Sequence, residues 1–122
     1  MIYEKELSDI IIGLAIEVHK TLGIGFLEAV YEEALAIEFE QNNIKFENQK
    51  ELLIKYKTHI LNKKYYVDFL IDNKIILELK ATNNICSEHI SQILNYLKAS
   101  EVKVDYILNF GRNKLEFKRI VL

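Results

Sequence analysis

The sequence predicts an α/β fold of the α+β sandwich kind, in which helices flank a mixed β-sheet. Three observations predict it. Two stretches near the start carry apolar residues at helical spacing, the middle carries residues that alternate with a period of two, and a third helical stretch precedes two further strands. With 122 residues, half of them hydrophobic and 28% charged, the chain has the length and composition of one globular domain, spanning 1–122.

The elements follow one another in the order α-α-β-β-β-α-β-β. Gly23 and Gly25 separate the first two helices, because a glycine just past a helix commonly ends it. The predicted ranges are helices over 3–21, 27–42 and 87–100, a strand over 44–57, a strand pair over 65–81, and strands over 102–109 and 115–121. For the second helix we expect a buried side formed by Val30, Ala34, Leu35, Ile37 and Phe39.

The segment from 65 to 81 reads as two strands joined by a tight turn. Apolar residues alternate along both strands, and Asp72 and Asn73 are typical turn residues. Pairing Ile71 with Ile75 leaves a three-residue turn, and directly opposed residues then point to the same face. One face becomes apolar, with the pairs Phe69–Leu77 and Val67–Leu79.

The opposite face of this strand pair collects charged residues. The same register sets Asp68 opposite Glu78 and Tyr66 opposite Lys80. Leu70 shares this face, so we expect the face to be partly covered. The apolar pattern alone therefore predicts that two carboxylates and an ammonium group come together.

Two adjacent carboxylates repel each other, and burial raises the cost of keeping both ionised. A divalent cation removes the conflict between Asp68 and Glu78, because hard cations take oxygen ligands. Lys80 would then hold or polarise a water for metal-assisted hydrolysis. The alternative interpretation is an exposed strand with an ordinary Glu–Lys ladder.

Two segments of the sequence resemble motifs of known protein families. Asp68, followed by Glu78-Leu79-Lys80 at the close of an apolar strand, resembles the signature of the PD-(D/E)xK nucleases. The segment from Gly25 to Tyr31 resembles the motif of the small bacterial GxxExxY protein family, which is grouped with those nucleases. The flanking segments 15–20 and 92–97 fit the same family, so the resemblance covers nearly the whole chain. The chain departs from it in having no proline, neither before Asp68 nor at Ile24.

This resemblance implies a nuclease-like fold and a Mg²⁺ (or Mn²⁺) dependent nuclease. Asp68 and Glu78 would bind the metal, with the backbone carbonyl of Leu79 as the third ligand, since Leu79 lies between two site residues of one strand. Glu28 would complete the site as an accessory ligand, directly or through a water. A carboxylate in the first turn of a helix is also stabilised by the helix dipole, which is the alternative interpretation of Glu28.

The remaining candidate residues act on water and phosphate. Lys80 would position the attacking water and stabilise charge that develops on the phosphate. The resemblance places Gln92 facing the cluster, where its amide would orient a phosphate or the water; the alternative is a boundary glutamine without a role. The sequence leaves the roles of His19 and Tyr31 open.

Composition limits the partners. A net charge of −2 and a pI of about 5.9 argue against tight non-specific binding to DNA, although lysines cluster around the proposed site. The expected partner is nucleic acid, in the form of DNA. Cleavage selective for branched DNA would need a homodimer, because one domain of this size offers little surface. The rival hypothesis is a non-catalytic binding or regulatory module on a nuclease-like fold.

Location and redox state are also predicted. The chain start lacks the basic and apolar regions of a signal peptide, and no apolar run approaches the length of a membrane span, so we expect a cytoplasmic protein with no membrane contact. Cys86 is the only cysteine, which excludes an internal disulfide. We expect Cys86 to be a small buried apolar residue.

Overall fold

The computed structural model of the protein describes residues 3–122 and confirms the predicted α+β architecture. Met1 and Ile2, which belong to the segment predicted to lack a signal peptide, lie outside the described residues. The elements in chain order are α1 (Lys5–Leu22), α2 (Glu28–Gln41), β1 (Phe46–Leu52), β2 (Lys55–Tyr56), β3 (His59–Ile60), β4 (Tyr65–Ile71), β5 (Ile75–Lys80), α3 (Ser87–Ser100), β6 (Val104–Asn109) and β7 (Glu116–Val121).

Five strands form one mixed sheet in the order β1-β4-β5-β6-β7. All neighbours are antiparallel except β5 and β6, which are parallel and are connected through α3. A parallel pair requires such a crossover, because both strands run in the same direction. The crossover places α3 against one face of the sheet.

The sheet separates two hydrophobic cores. The first core joins the sheet to α1 and α2, and its fully buried members include Ile11, Tyr31, Phe39, Phe69 and Leu77. The second core lies between the sheet and α3, and includes Leu70, Ile76, Ile93, Leu97 and Ile107. The expectation that the charged face of the strand pair is covered is therefore correct, and α3 provides the cover.

The buried side of α2 differs from the prediction. The helix buries Tyr31, Leu35 and Phe39, which follow one another at a spacing of four, while Val30 and Ile37 are exposed. The Tyr31 ring stacks on Phe110 at a centroid distance of 4.6 Å. The Tyr31 hydroxyl donates to the carbonyl of Gly23 at 2.6 Å. An amphipathic tyrosine therefore occupies a buried position where the prediction placed aliphatic residues.

The strand predicted over 44–57 is interrupted. β1 ends at Leu52, and the chain then forms the separate β2–β3 hairpin before it enters β4. The backbone N–H of Leu61 donates to the carbonyl of Ile54 at 2.9 Å, which closes the hairpin at its base. Leu52, Ile54 and Tyr56 keep an alternating spacing although the chain changes direction among them. A period of two in the sequence does not reveal such a change.

The loop between β6 and β7 is fastened to the end of β5 by buried polar groups. Asn109 is fully buried; its amide oxygen accepts from the N–H groups of Thr82 and Gly111, and its amide nitrogen donates to the Thr82 carbonyl at 2.9 Å. A Cβ at Gly111 would lie 2.4 Å from the backbone of Thr82, so only glycine fits. His19 is buried, and its Nε2 hydrogen-bonds to the carbonyl of Arg112 at 2.7 Å.

Two smaller expectations concern Cys86 and membranes. Cys86 is exposed and precedes α3 as its N-cap, so the prediction of a buried apolar cysteine is wrong. The Cys86 backbone N–H donates to His89 Nδ1 at 3.3 Å at the start of the helix. Within residues 3–122, no helix combines the length and the apolar content that crossing a bilayer requires.

Candidate active site

The turn between β4 and β5 has the predicted register. Ile71 pairs with Ile75 and Phe69 with Leu77, which leaves a three-residue turn. Asp72 and Asn73 both adopt positive φ values, of 49° and 56°, a conformation that these short polar residues tolerate better than most. The register argument from the apolar pattern is therefore confirmed near the turn.

Further from the turn, the ladder ends and the prediction fails. The regular pairing stops at Phe69–Leu77, so the predicted backbone pairs Asp68–Glu78 and Tyr66–Lys80 do not form. Val67 lies in the second core rather than beside Leu79 in the first, so its predicted placement is wrong. The alternation of side chains along β4 therefore breaks at Asp68.

The physical reason lies in the neighbouring strand. Gln49 of β1 has a φ of 52°, and it does not pair with Asp68 although the residues on either side pair normally, Asn48 with Phe69 and Lys50 with Val67. A left-handed residue inside a strand disrupts the ladder and re-aims the side chains that follow it. At this level the side chains of β1 and β4 switch to the opposite face of the sheet. The Asp68 carboxylate then points toward β5, where the β4–β5 ladder is interrupted.

Asp68 replaces a missing ladder bond with its side chain. Its Oδ2 accepts from the backbone N–H of Leu79 at 2.7 Å, and its Oδ1 accepts from Gln49 Nε2 at 3.1 Å. Burial raises the pKa of Asp68, with a further contribution from the negative charge of Glu32, while the hydrogen bond from Leu79 opposes the increase. The carboxylate is therefore fixed to β5 by a backbone group that also orients it.

Of the two carboxylates Asp68 and Glu78, Glu78 is the one with an oxygen that lacks a hydrogen bond. Its Oε1 is buried and has no hydrogen-bond partner among the described residues. Burial, followed by the negative charge of Asp68, raises the pKa of Glu78 from 4.5 to about 9, and the positive charge of Lys80 opposes this only in part. The structure thus brings Asp68, Glu78 and Lys80 within electrostatic reach of one another.

A third buried carboxylate, Asp105 of β6, was missed by the sequence analysis. The side chain is completely buried, and neither carboxylate oxygen has a hydrogen-bond partner in the part of the chain that the structure describes. Burial, then the charges of Glu78 and Asp68, raise the pKa of Asp105 well above its ordinary value. The available signal was a lone aspartate inside a strand of otherwise apolar residues, Val104 to Leu108.

The acidic residue of α2 that connects to the site is Glu32. Both of its carboxylate oxygens accept from Gln49 Nε2, at 3.1 and 2.9 Å, and the same nitrogen bonds to Asp68. Glu28, one turn earlier, is exposed, and its charge contributes to the raised pKa of Asp68 less than that of Glu32 does. Neither Gln49 nor Glu32 was identified from the sequence, because their roles depend on the left-handed kink in β1.

Gln92 and Tyr96 are one turn apart on α3, and Tyr96 lies within electrostatic reach of these carboxylates. Tyr96 is buried, and its pKa rises to about 12, first through burial and then through the charges of Glu78, Tyr65, Asp68 and Asp105. Gln92 is exposed, and none of the side-chain hydrogen bonds found in residues 3–122 joins it to a carboxylate. It lines a cavity that it shares with Tyr96.

The chemistry of the site fits a divalent cation in part. Two carboxylates that repel each other, one with an orphaned buried oxygen, have the donor set and the unmet charge that a hard cation satisfies. Over the described range 3–122, however, no three His, Cys, Asp or Glu side chains converge as a ready-made metal site. Glu28 therefore does not complete a cluster with Asp68 and Glu78, and any further ligands must come from the backbone or from water.

Comparisons with known proteins identify the family and a structure of similar fold. The sequence profile of the PD-(D/E)XK nuclease superfamily matches residues 5–120. The chain is also similar to the crystal structure of SSO0001, with a TM-score of 0.60 and 18% sequence identity; the match covers 97% of this chain and 58% of that one, and at this identity it shows the fold alone. No curated protein matches the chain. Since the profile spans almost every residue, the chain belongs to the PD-(D/E)XK nuclease superfamily.

Proposed function

We propose that the protein hydrolyses phosphodiester bonds of nucleic acid, with DNA as the substrate and Mg²⁺ or Mn²⁺ as the cofactor. One observation carries the proposal: Asp68 and Glu78 are held together where the β4–β5 ladder ends, and Glu78 retains a buried oxygen without a partner. Without a cation, Glu78 stays buried beside Asp68 as the neutral acid, since burial and the charge of Asp68 raise its pKa to about 9.

The proposed ligands are the carboxylates of Asp68 and Glu78 and the backbone carbonyl of Leu79. The N–H of Leu79 points toward β4, where Asp68 accepts it. Within a strand the N–H and C=O of one residue point to the same side, so the Leu79 carbonyl is also directed toward the gap between the strands. Glu28 contributes through a water in this proposal, since it makes no cluster with the other two carboxylates.

A bound divalent cation supplies charge neutralisation at the phosphate and lowers the pKa of a coordinated water. The residues of the chain then orient the reactants. Lys80 ends β5 beside Glu78 and holds the attacking water against the phosphate, where its charge stabilises the transition state. Gln92 orients the phosphate from α3. A homodimer would present two such sites to the arms of a branched substrate.

The test uses a flap DNA that contains both duplex and single-stranded arms, incubated with 5′-labelled ends in Mg²⁺ and in Mn²⁺. Lys80→Ala should reduce the cleavage rate by roughly 100-fold or more, as expected when one preorganised electrostatic group is removed. Lys74→Ala removes a lysine from the adjacent turn, where it pairs with Asp72, and should cleave at the parent rate.

Absence of cleavage by the parent protein in either metal would refute the proposal. Equal rates for the parent and Lys80→Ala would show that the cleavage comes from another site or from a contaminant. The rival function, a non-catalytic binding module, is favoured by the net charge of −2 and by the missing third ligating side chain. It predicts the first of these two outcomes.

A further inference from the structure

A groove of about 850 Å³ lies between α3 and the segment that connects β1 to β4. Its volume falls in the range of ordinary ligand sites. It does not include Asp68, Glu78 or Lys80. The polar part of its lining consists of two tyrosines, two amides, two lysines and one carboxylate: Tyr65, Tyr96, Gln92, Asn95, Lys55, Lys98 and Glu101.

Each class of lining residue suits a nucleotide. The Tyr65 and Tyr96 rings lie 6.0 Å apart, and Tyr65, at the start of β4, is only partly buried, so its ring is available to a base. Bases stack on aromatic side chains irrespective of sequence. Gln92 and Asn95 are one turn apart on α3, are exposed, and offer amide donors and acceptors.

Leu53, Ile54 and Lys55 form the wall opposite α3, and the exposed segment that continues from them is basic. Residues 53–64 contain four lysines and no acidic residue, in a chain whose net charge is −2. The segment also exposes large side chains, among them Leu53 and Tyr56 at 58% each. Lys57 lies over the Tyr56 ring at 5.3 Å. Basic and aromatic residues that alternate on an exposed hairpin are typical of surfaces that follow a single-stranded backbone.

The groove adjoins the candidate active site. Tyr96 forms part of its wall and lies within electrostatic reach of Glu78 and Asp68. Tyr65 precedes Asp68 on the same strand by three residues, and like Val67 it packs on the second core. The groove therefore borders the carboxylate pair through Tyr96.

From this arrangement we propose that the groove between α3 and the β2–β3 hairpin binds an unpaired strand of nucleic acid and delivers it to Asp68 and Glu78. The proposal rests on the proposed function only for what happens to the delivered phosphate. Binding itself requires no metal. The protein would accordingly prefer single-stranded arms to continuous duplex, because a stacked base pair cannot reach tyrosines that lie inside a groove.

The experiment measures binding of a dye-labelled 12-nucleotide oligothymidylate by fluorescence anisotropy in EDTA, so that hydrolysis plays no part. The test variant is the double substitution Lys55→Ala with Lys98→Ala. The control is Lys45→Ala with Lys118→Ala, which changes the net charge equally at exposed lysines outside the groove lining; Lys118 is on β7, the far edge of the sheet.

We expect the groove variant to bind about tenfold more weakly and the control to change by less than twofold. The plot of log K against log salt should also become less steep by about 1.4, since each phosphate contact to a single strand contributes about 0.7. Tyr65→Phe should retain binding and Tyr65→Leu should weaken it, which separates stacking from charge.

Three results would overturn the proposal: equal losses in the two double variants, tighter binding of a duplex of the same length, or no binding of the oligothymidylate by the parent. These outcomes are independent of catalysis. If the protein binds in EDTA but never cleaves in Mg²⁺, the groove proposal stands and the proposed function is refuted. If the protein cleaves but both double variants lose binding affinity equally, the proposed function stands and the groove proposal is refuted.

Discussion

Two groups of buried polar residues lie along β5 and its neighbouring strands, and they differ in how many of their polar atoms have hydrogen-bond partners. The loop cluster, made by Asn109, Thr82, Gly111, His19 and Arg112, uses its donors and acceptors within the protein. The carboxylate cluster, made by Asp68, Glu78 and Asp105, leaves three buried oxygens without partners in the described chain, one on Glu78 and two on Asp105.

This difference separates the residues that stabilise the fold from those that are candidates for a function. Native proteins satisfy nearly all buried polar groups, because each unmade hydrogen bond costs free energy. The loop cluster follows this rule, and its residues stabilise the chain where β5 and β6 end. The carboxylate cluster violates the rule at the place where the β4–β5 ladder is interrupted. A proton, a cation or a water molecule would complete it.

The largest expected effect is in the loop cluster. Gly111→Ala should destabilise the protein by about 3 kcal/mol, because the new Cβ would meet the Thr82 backbone at 2.4 Å and neither strand end can move freely. Gly13→Ala is the matched control: nothing lies within 4 Å of its position, and alanine in a helix interior should add about 0.5–1 kcal/mol. Chemical denaturation of the three proteins measures both. A tolerated Gly111→Ala would show that the loop is not tightly fastened.

The second effect is in the carboxylate cluster and depends on pH. The folded-state pKa of Glu78, about 9, exceeds its ordinary value of 4.5, so the native state binds more protons than the unfolded state between these values. Stability in EDTA should therefore fall as pH rises through this window, by roughly 1 kcal/mol per pH unit for one such group. Melting curves at pH 5, 6, 7 and 8 measure this decline.

Glu78→Gln and Asp105→Asn should each make that decline shallower, because each removes a group whose pKa is raised by burial. Glu88→Gln is the control, since Glu88 is an exposed residue whose pKa is lowered by the Cys86 side chain and it cannot cause a loss above pH 5. A parent protein whose stability is constant from pH 5 to 8 would mean that the two carboxyl groups titrate normally and that the clusters do not differ.

The smallest effect comes from metal. If the cluster binds Mn²⁺ with a dissociation constant near 1 mM, then 10 mM Mn²⁺ stabilises the parent by about 1.4 kcal/mol, a rise in Tm on the order of 4 °C. Asp68→Asn should lose most of this shift, because the metal loses a charged ligand. Asp72→Asn makes the same chemical change in the turn four residues later, and should keep the full shift. An equal shift in all three proteins would place the metal elsewhere.

Near the β4–β5 turn, sequence reasoning predicted the structure closely. The pairing of Ile71 with Ile75 follows from the alternation of apolar residues and the length of the turn, both of which are set by neighbours in the chain. The same reasoning failed at Val67, because it assumed that the alternation continues without interruption. The interruption arises from Gln49, a residue of another strand, whose left-handed conformation leaves no mark in a single sequence.

By itself, the sequence determined the order of the helices and of the strands of the main sheet, and the register of β4 and β5 next to their turn. It also placed Asp68, Glu78 and Lys80 on these two neighbouring strands, because periodicity and turn length act over a few residues. Only the tertiary structure decided that Asp105 joins the carboxylates, that Gln49 and Glu32 hold Asp68, and that Glu78 is buried strongly enough to raise its pKa. Those properties depend on α3 covering one face of the sheet and on contacts between strands far apart in the chain. Desolvation and charge repulsion act through space, and their strength is set by packing rather than by position in the sequence.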